Sequence, residues 1–136
     1  MGGNLVTYAW IALGSALGGV ARYGASSLIA TSFGQTFPWG TLLVNISGSF
    51  VIGFFATLTG PDGRVLVASD IRQFVMIGIC GGYTTFSSFS LQTLNLVQEG
   101  DMLRAGANIA GSVVLCLVAV WLGYVAAAAL NVVRGS

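Results

Sequence analysis

The chain is 136 residues long, 7% charged and 55% hydrophobic, with a net charge of +1. Ordinary globular chains are about a quarter charged, so a water-soluble domain is excluded, and with no basic surplus there is no nucleic-acid footprint. A mean hydropathy of +0.87 with 20 glycines fits packed membrane helices, where small residues let backbones approach.

In chain order, residues 5–30 form the first apolar segment. At about 1.5 Å per residue it crosses ~30 Å of hydrocarbon. It lacks a basic start and exceeds a secretory h-region, so it reads as a span rather than a cleaved leader. Gly14 and Gly18 are a small-xxx-small pair, extended by Ala21 and Ala25, and predict a face packed on another helix. Residues 31–38 are a short uncharged turn, and Pro38 before Trp39 marks a helix start at an interface. The second span covers 39–58 and carries Asn45, Ser47, Gly48, Ser49 and Gly53. Gly60-Pro61-Asp62-Gly63 signals a turn in the following loop.

The third span covers about 71–96 and the fourth about 102–133, with a charged turn at 98–101 between them. Four spans leave the chain as a single transmembrane domain over 1–136, an all-α membrane protein. In the middle of the third span stands Gly81-Gly82-Tyr83-Thr84-Thr85-Phe86-Ser87-Ser88-Phe89-Ser90. Paired glycines cost a helix about 1 kcal/mol each relative to alanine, and a row of hydroxyls does not suit a lipid-facing surface. The expectation is a helix broken mid-membrane at Gly81-Gly82, which frees backbone carbonyls. Irregular backbone at that depth is tolerated only where it is buried in protein or lines a cavity.

All four acids (Asp62, Asp70, Glu99, Asp101) lie in loops or at span ends, and the chain has no Lys or His. A coupled proton exporter needs a titratable intramembrane group, and a hydrolase needs a base or a metal. Passive conduction, a structural role or an accessory subunit remain. Cys80 and Cys116 lie in apolar runs without a CxxC or a histidine, so they read as buried thiols. Arg22 is the one charge within a span and either snorkels to the interface or charges a vestibule. Asn45 is either interhelical glue or a pore-lining donor. Phe86 and Phe89, spaced i, i+3, share a helix face, as core packing or as ring edges presented to an anion. Arg64, Arg72 and Arg134 fall on one side of the membrane and Arg104 and Arg22 on the other. So small a bias leaves both a fixed orientation and insertion in both orientations open.

Three stretches now carry a resemblance. They are 14–23 (GSALGGVARY), 39–50 (WGTLLVNISGSF) and 78–90 (GICGGYTTFSSFS). In order and spacing they resemble the Gly-rich first helix, the GTLxVNxxGSF run and the GxxGGxTTFSTF signature of the Fluc/CrcB family of fluoride channels. Ser88 stands where a threonine is usual and Tyr83 fills a variable position. The resemblance implies an antiparallel, dual-topology homodimer in the bacterial inner membrane. It implies passive, fluoride-selective efflux through two pores per dimer. It further implies a central structural Na⁺ held by the backbone carbonyls of Gly81 and Thr84. Asn45, Phe86 and Phe89 match pore positions of that family, Arg22 its first-helix arginine, and Ser112 a pore-lining serine. Thr85 and Ser88 fall among its pore hydroxyls. A small coupled exporter and a structural membrane subunit are the alternatives.

Overall fold

In a computed structural model, residues 4–135 are described, with side chains from 4 to 133. Arg134, counted above toward orientation, therefore has its side chain outside the described residues. The molecule is a bundle of four helices long and apolar enough to cross a membrane, the third spanning Ser69–Gln98. Large apolar residues such as Leu5, Val20, Leu28, Leu103 and Leu117 point outward. The buried set is short and mixed: Leu42, Val44, Leu96 and Ala105 beside Thr41, Thr59, Asn108 and Ser112. An apolar exterior over a partly polar interior is the distribution that a bilayer, rather than water, rewards.

Helix α1 (Leu5–Phe33) starts on Asn4, whose Oδ1 accepts the Thr7 N–H at 3.0 Å. It runs three residues past the expected end. The Thr31 hydroxyl satisfies itself by donating to Ser27 O at 2.9 Å, and Gly34 closes the helix at φ 83°, a conformation glycine adopts freely. Helix α2 (Trp39–Leu58) begins after Pro38, as expected. At its far end the Arg72 guanidinium donates to Thr59 Oγ1 at 3.0 Å and Ala56 O at 3.0 Å, placing a cation on a helix C-terminus.

Helix α3 (69–83) has an α-helical start at Ser69–Gln73, a π-helical stretch at Phe74–Cys80 and an α-helical turn at Gly81–Tyr83. It begins two residues before the expected 71, because Asp70 is tied down by the Thr7 hydroxyl at 2.7 Å. Helix α4 (Phe86–Gln98) follows, then Gly100 at φ 79° and helix α5 (Met102–Gly135). Asp101 caps α5, its Oδ1 accepting the Arg104 N–H at 3.1 Å while Oδ2 pairs with Arg104 Nη1 at 2.7 Å. The Arg104 side chain, and then its backbone N–H, hold the Asp101 carboxyl below the ordinary carboxylate range.

The expected interruption at Gly81-Gly82 is corrected. Gly81 is helical (φ −65°, ψ −37°) and the backbone leaves the helix at Thr84 (ψ 158°) and Thr85 (φ −152°, ψ 112°). The glycines have another task. A Cβ on Gly82 would lie 2.6 Å from Ser15 O, and one on Gly78 2.9 Å from Gly14 Cα, so α3 lies against the small-residue face of α1. The backbone parts from the helix because Thr85, unlike Thr84, bonds a partner on another helix. Thr84 Oγ1 donates to Cys80 O at 3.0 Å, and the Thr85 N–H donates to Asn45 Oδ1 at 2.8 Å.

Candidate functional site

Asn45 on α2 holds the extended backbone between α3 and α4. Its Oδ1 accepts the Thr85 N–H at 2.8 Å and its Nδ2 donates to Thr85 O at 3.1 Å. This imitates one rung of a β-ladder, so the amide replaces the helical partners that Thr85 gives up. An amide nitrogen has two N–H groups, and this pairing uses one of them. Thr85 Oγ1 then accepts the Ser88 N–H at 3.1 Å and caps α4. The diversion leaves a loose end. Thr84 N–H bonds Cys80 O at 3.0 Å, and with the Thr85 N–H on Asn45, the Gly81 carbonyl loses the donor that a continuous helix would supply.

Phe86 and Phe89 open α4 with ring centroids 5.3 Å apart and planes tilted by 50°. Phe86 is 76% exposed. Facing them from α5, Ser112 donates to Asn108 Oδ1 at 3.5 Å, and Asn108 Nδ2 donates to Thr93 Oγ1 at 2.9 Å. The Thr93 hydroxyl continues to Phe89 O at 2.8 Å. Asn108 is 2% exposed. This relay ties α5 to α4 behind the phenylalanines. The pairing of Asn108 with Thr93 is not legible in the sequence. The i, i+4 spacing of Asn108 and Ser112 was visible, but which threonine they meet depends on how the helices dock.

Asn45, Thr85, Phe86, Phe89 and Ser112 converge on one cavity of about 410 Å³. Its polar lining comes from Asn45, Ser49, Thr84, Thr85 and Ser112, its aromatic lining from Phe86 and Phe89, and Gly81 lines it as well. No carboxylate, guanidinium or amine lines it. Two residues singled out in the sequence lie elsewhere. Ser88 spends its N–H on Thr85, and its side chain is not part of the lining. Arg22 is half-buried and donates from Nε to Gly82 O at 3.1 Å, putting its charge on the C-terminal turn of α3.

A second cavity, of about 530 Å³, lies between α1, the 34–38 turn and α4. Gln92, Thr41 and Glu99 line it, and Gln92 Oε1 is buried without a hydrogen-bond partner among the described residues. Chemically the first cavity offers N–H and O–H donors, ring edges and freed carbonyls, and its ionisable side chains are the thiols of Cys80 and Cys116 alone. It can solvate an ion without transforming it.

A family model described as CrcB-like protein, Camphor Resistance (CrcB), matches residues 9–124. The chain is similar to the "Fluoride-specific ion channel FluC" of Opitutus terrae, with 64% identity over 95% of this chain and 98% of that one. It is likewise similar to the proteins of that name from Methylocella silvestris, at 61% over 95% of this chain and 98% of that one, and Rhodospirillum rubrum, at 64% over 93% of this chain and 98% of that one. With four apolar helices of spanning length and a family match over most of its residues, the chain is a multi-pass membrane protein belonging to the CrcB family.

Proposed function

We propose that this chain is a fluoride-selective ion channel, not an enzyme, that lowers cytoplasmic fluoride by passive efflux. One observation carries the reading: Asn45, Thr85, Phe86, Phe89 and Ser112 meet on a single cavity whose lining holds no carboxylate or basic side chain. Fluoride is small and strongly hydrated, so a path for it must replace water with donors already in place. The spare Asn45 N–H, the Thr85 hydroxyl and the positive edges of Phe86 and Phe89 are such donors, whereas the Thr84 and Ser112 hydroxyls donate to Cys80 O and Asn108 Oδ1. The relatives named as fluoride-specific channels support the choice of ion.

The cavity is open on the Phe86 side, and Gly81 is exposed there. We assign that open face to a second, antiparallel copy, giving a dual-topology homodimer with two pores, each closed by the partner. The interruption at Thr84 and Thr85 then lies near mid-membrane. A Na⁺ at the dimer centre fits the donor set. Gly81 O has lost its helical partner, and with Thr84 O from each copy it gives the neutral oxygen ligands a hard cation takes. Na⁺ would supply fixed positive charge and hold the extended segments together. The relatives are bacterial, which supports an inner-membrane location.

Fluoride efflux from liposomes holding the purified protein is expected to be fast, electrogenic and independent of a proton gradient, with chloride efflux far slower. No fluoride efflux, or efflux that collapses with the proton gradient, would reject the channel.

A further inference from the structure

One face of α4 connects the two cavities. Phe86, Phe89, Gln92, Leu96 and Glu99 follow at intervals of three, three, four and three residues, so they form one stripe along the helix. On α2, Asn45 and Thr41 are one turn apart. The first cavity takes the Phe86, Phe89 and Asn45 end of these faces, and the second takes Thr41, Gln92, Leu96 and Glu99. The larger cavity therefore lies beyond the smaller one along the same helix faces, toward the end of the bundle that carries the 34–38 turn. Its polar lining is neutral hydroxyl and carboxamide, apart from Glu99, whose carboxylate is the one formal charge on the wall.

That charge stands unopposed. Asp101 and Arg104, the nearest charged residues in sequence, pair with each other at 2.7 Å. Arg22 spends its Nε on Gly82 O and is not among the lining residues. Glu99 is exposed at the end of α4 and forms no ion pair among the described residues. From this juxtaposition we infer that Glu99 holds a negative potential over the mouth and limits the rate at which anions enter. It is a rate-setting residue for conduction and not a ligand of the ion in the narrow part of the path. The inference rests on the channel reading above. An exposed charge acts through solvent, so its effect fades with ionic strength as the screening length shrinks from about 30 Å at 0.01 M to about 3 Å at 1 M.

The test compares wild type, Glu99→Gln and Glu99→Lys in liposomes at fixed low fluoride, with ionic strength raised by an impermeant salt. At ~10 mM ionic strength, Glu99→Gln is expected to raise fluoride efflux about two- to fivefold and Glu99→Lys further. Near ~0.5 M all three are expected to converge to within about 1.5-fold. A residue that only shapes the helix end would change efflux by a factor independent of salt. Equal efflux of wild type and Glu99→Gln at low salt, or a ratio that salt does not alter, overturns the inference. Absence of fluoride efflux in wild type overturns the channel reading instead, so the two failures are separable.

Discussion

Asn45 shows how one side chain can fix both a backbone and a site. Its amide makes two hydrogen bonds to Thr85 and still lines the cavity. In lipid an unpaired amide is costly, so the pairing with Thr85 stabilises the residue where it is needed. Arg22, which the sequence leaves between snorkelling to the interface and charging a vestibule, bonds a carbonyl of α3 through its Nε. No sequence pattern marks that choice, because Gly82 lies 60 residues downstream of Arg22. Phe86 separates packing from conduction. Its ring is 76% exposed and touches Phe89 at 5.3 Å between centroids. Phe86→Ile keeps a bulky apolar side chain but removes the polarised ring edge. Fluoride efflux is expected to fall at least tenfold while the variant still elutes as a dimer in detergent. Unchanged efflux would take that ring out of the path.

At the scale of the element, the third span is where sequence and structure part. The Gly-Gly pair suggested a break because glycine weakens helices. The chain breaks two residues later, because the Asn45 amide, reaching across from α2, takes both backbone groups of Thr85 and outweighs local propensity. Gly82, the second of the pair, instead sets the spacing of α1 and α3. A Cβ at 82 would lie 2.6 Å from Ser15 O and 3.0 Å from Ser15 Cα, backbone that cannot rotate away. Gly82→Val should therefore push α1 and α3 apart at a cost of about 1–3 kcal/mol, the usual range for overpacking. The same shift would move the carbonyl that Arg22 binds. Gly24→Ala, with nothing within 4 Å of the added carbon, is the neutral control. Thermal unfolding in detergent compares them, and equal midpoints for the two variants would remove the close-packing argument.

For the whole molecule, the number of spans and the starts of α2 and α5 were legible. Pro38, the Gly60–Gly63 turn and the Gly100-Asp101 pair are local signals that survive in the fold. The contents of the cavity were legible as residue types, since amides, hydroxyls and aromatic rings are conspicuous among aliphatic neighbours. Their assembly was not, because Asn108 meets Thr93, and Asn45 meets Thr85, across helices whose relative rotation no single segment encodes. Orientation belongs to this scale too. Arg64 and Arg72 lie at one end, while Arg104 at the other is neutralised by Asp101. A bias this small leaves both a fixed orientation and insertion both ways open, and the proposed antiparallel dimer requires the second. With Cys80 and Cys116 replaced by alanine, a cysteine at Gln35 should be labelled about half from each side of the membrane by an impermeant thiol reagent. Labelling from one side alone would contradict dual topology.

The π-helical stretch at Phe74–Cys80 carries a last consequence. A π turn behaves like an α-helix that has taken in one extra residue while both flanks keep their own contacts. Here the flanks are Asp70, bound to Thr7, and the Gly82 turn seated on Ser15. Slack of one residue is thus stored between two anchored ends. Shortening the chain by one position within 74–80 would return the segment to plain α geometry with both anchors still in phase. The same deletion within α4 would swing every residue beyond it by roughly 100° about the axis and scatter the stripe from Phe86 to Glu99. Single-residue changes in length are therefore tolerable on one side of the Thr84-Thr85 interruption and ruinous on the other.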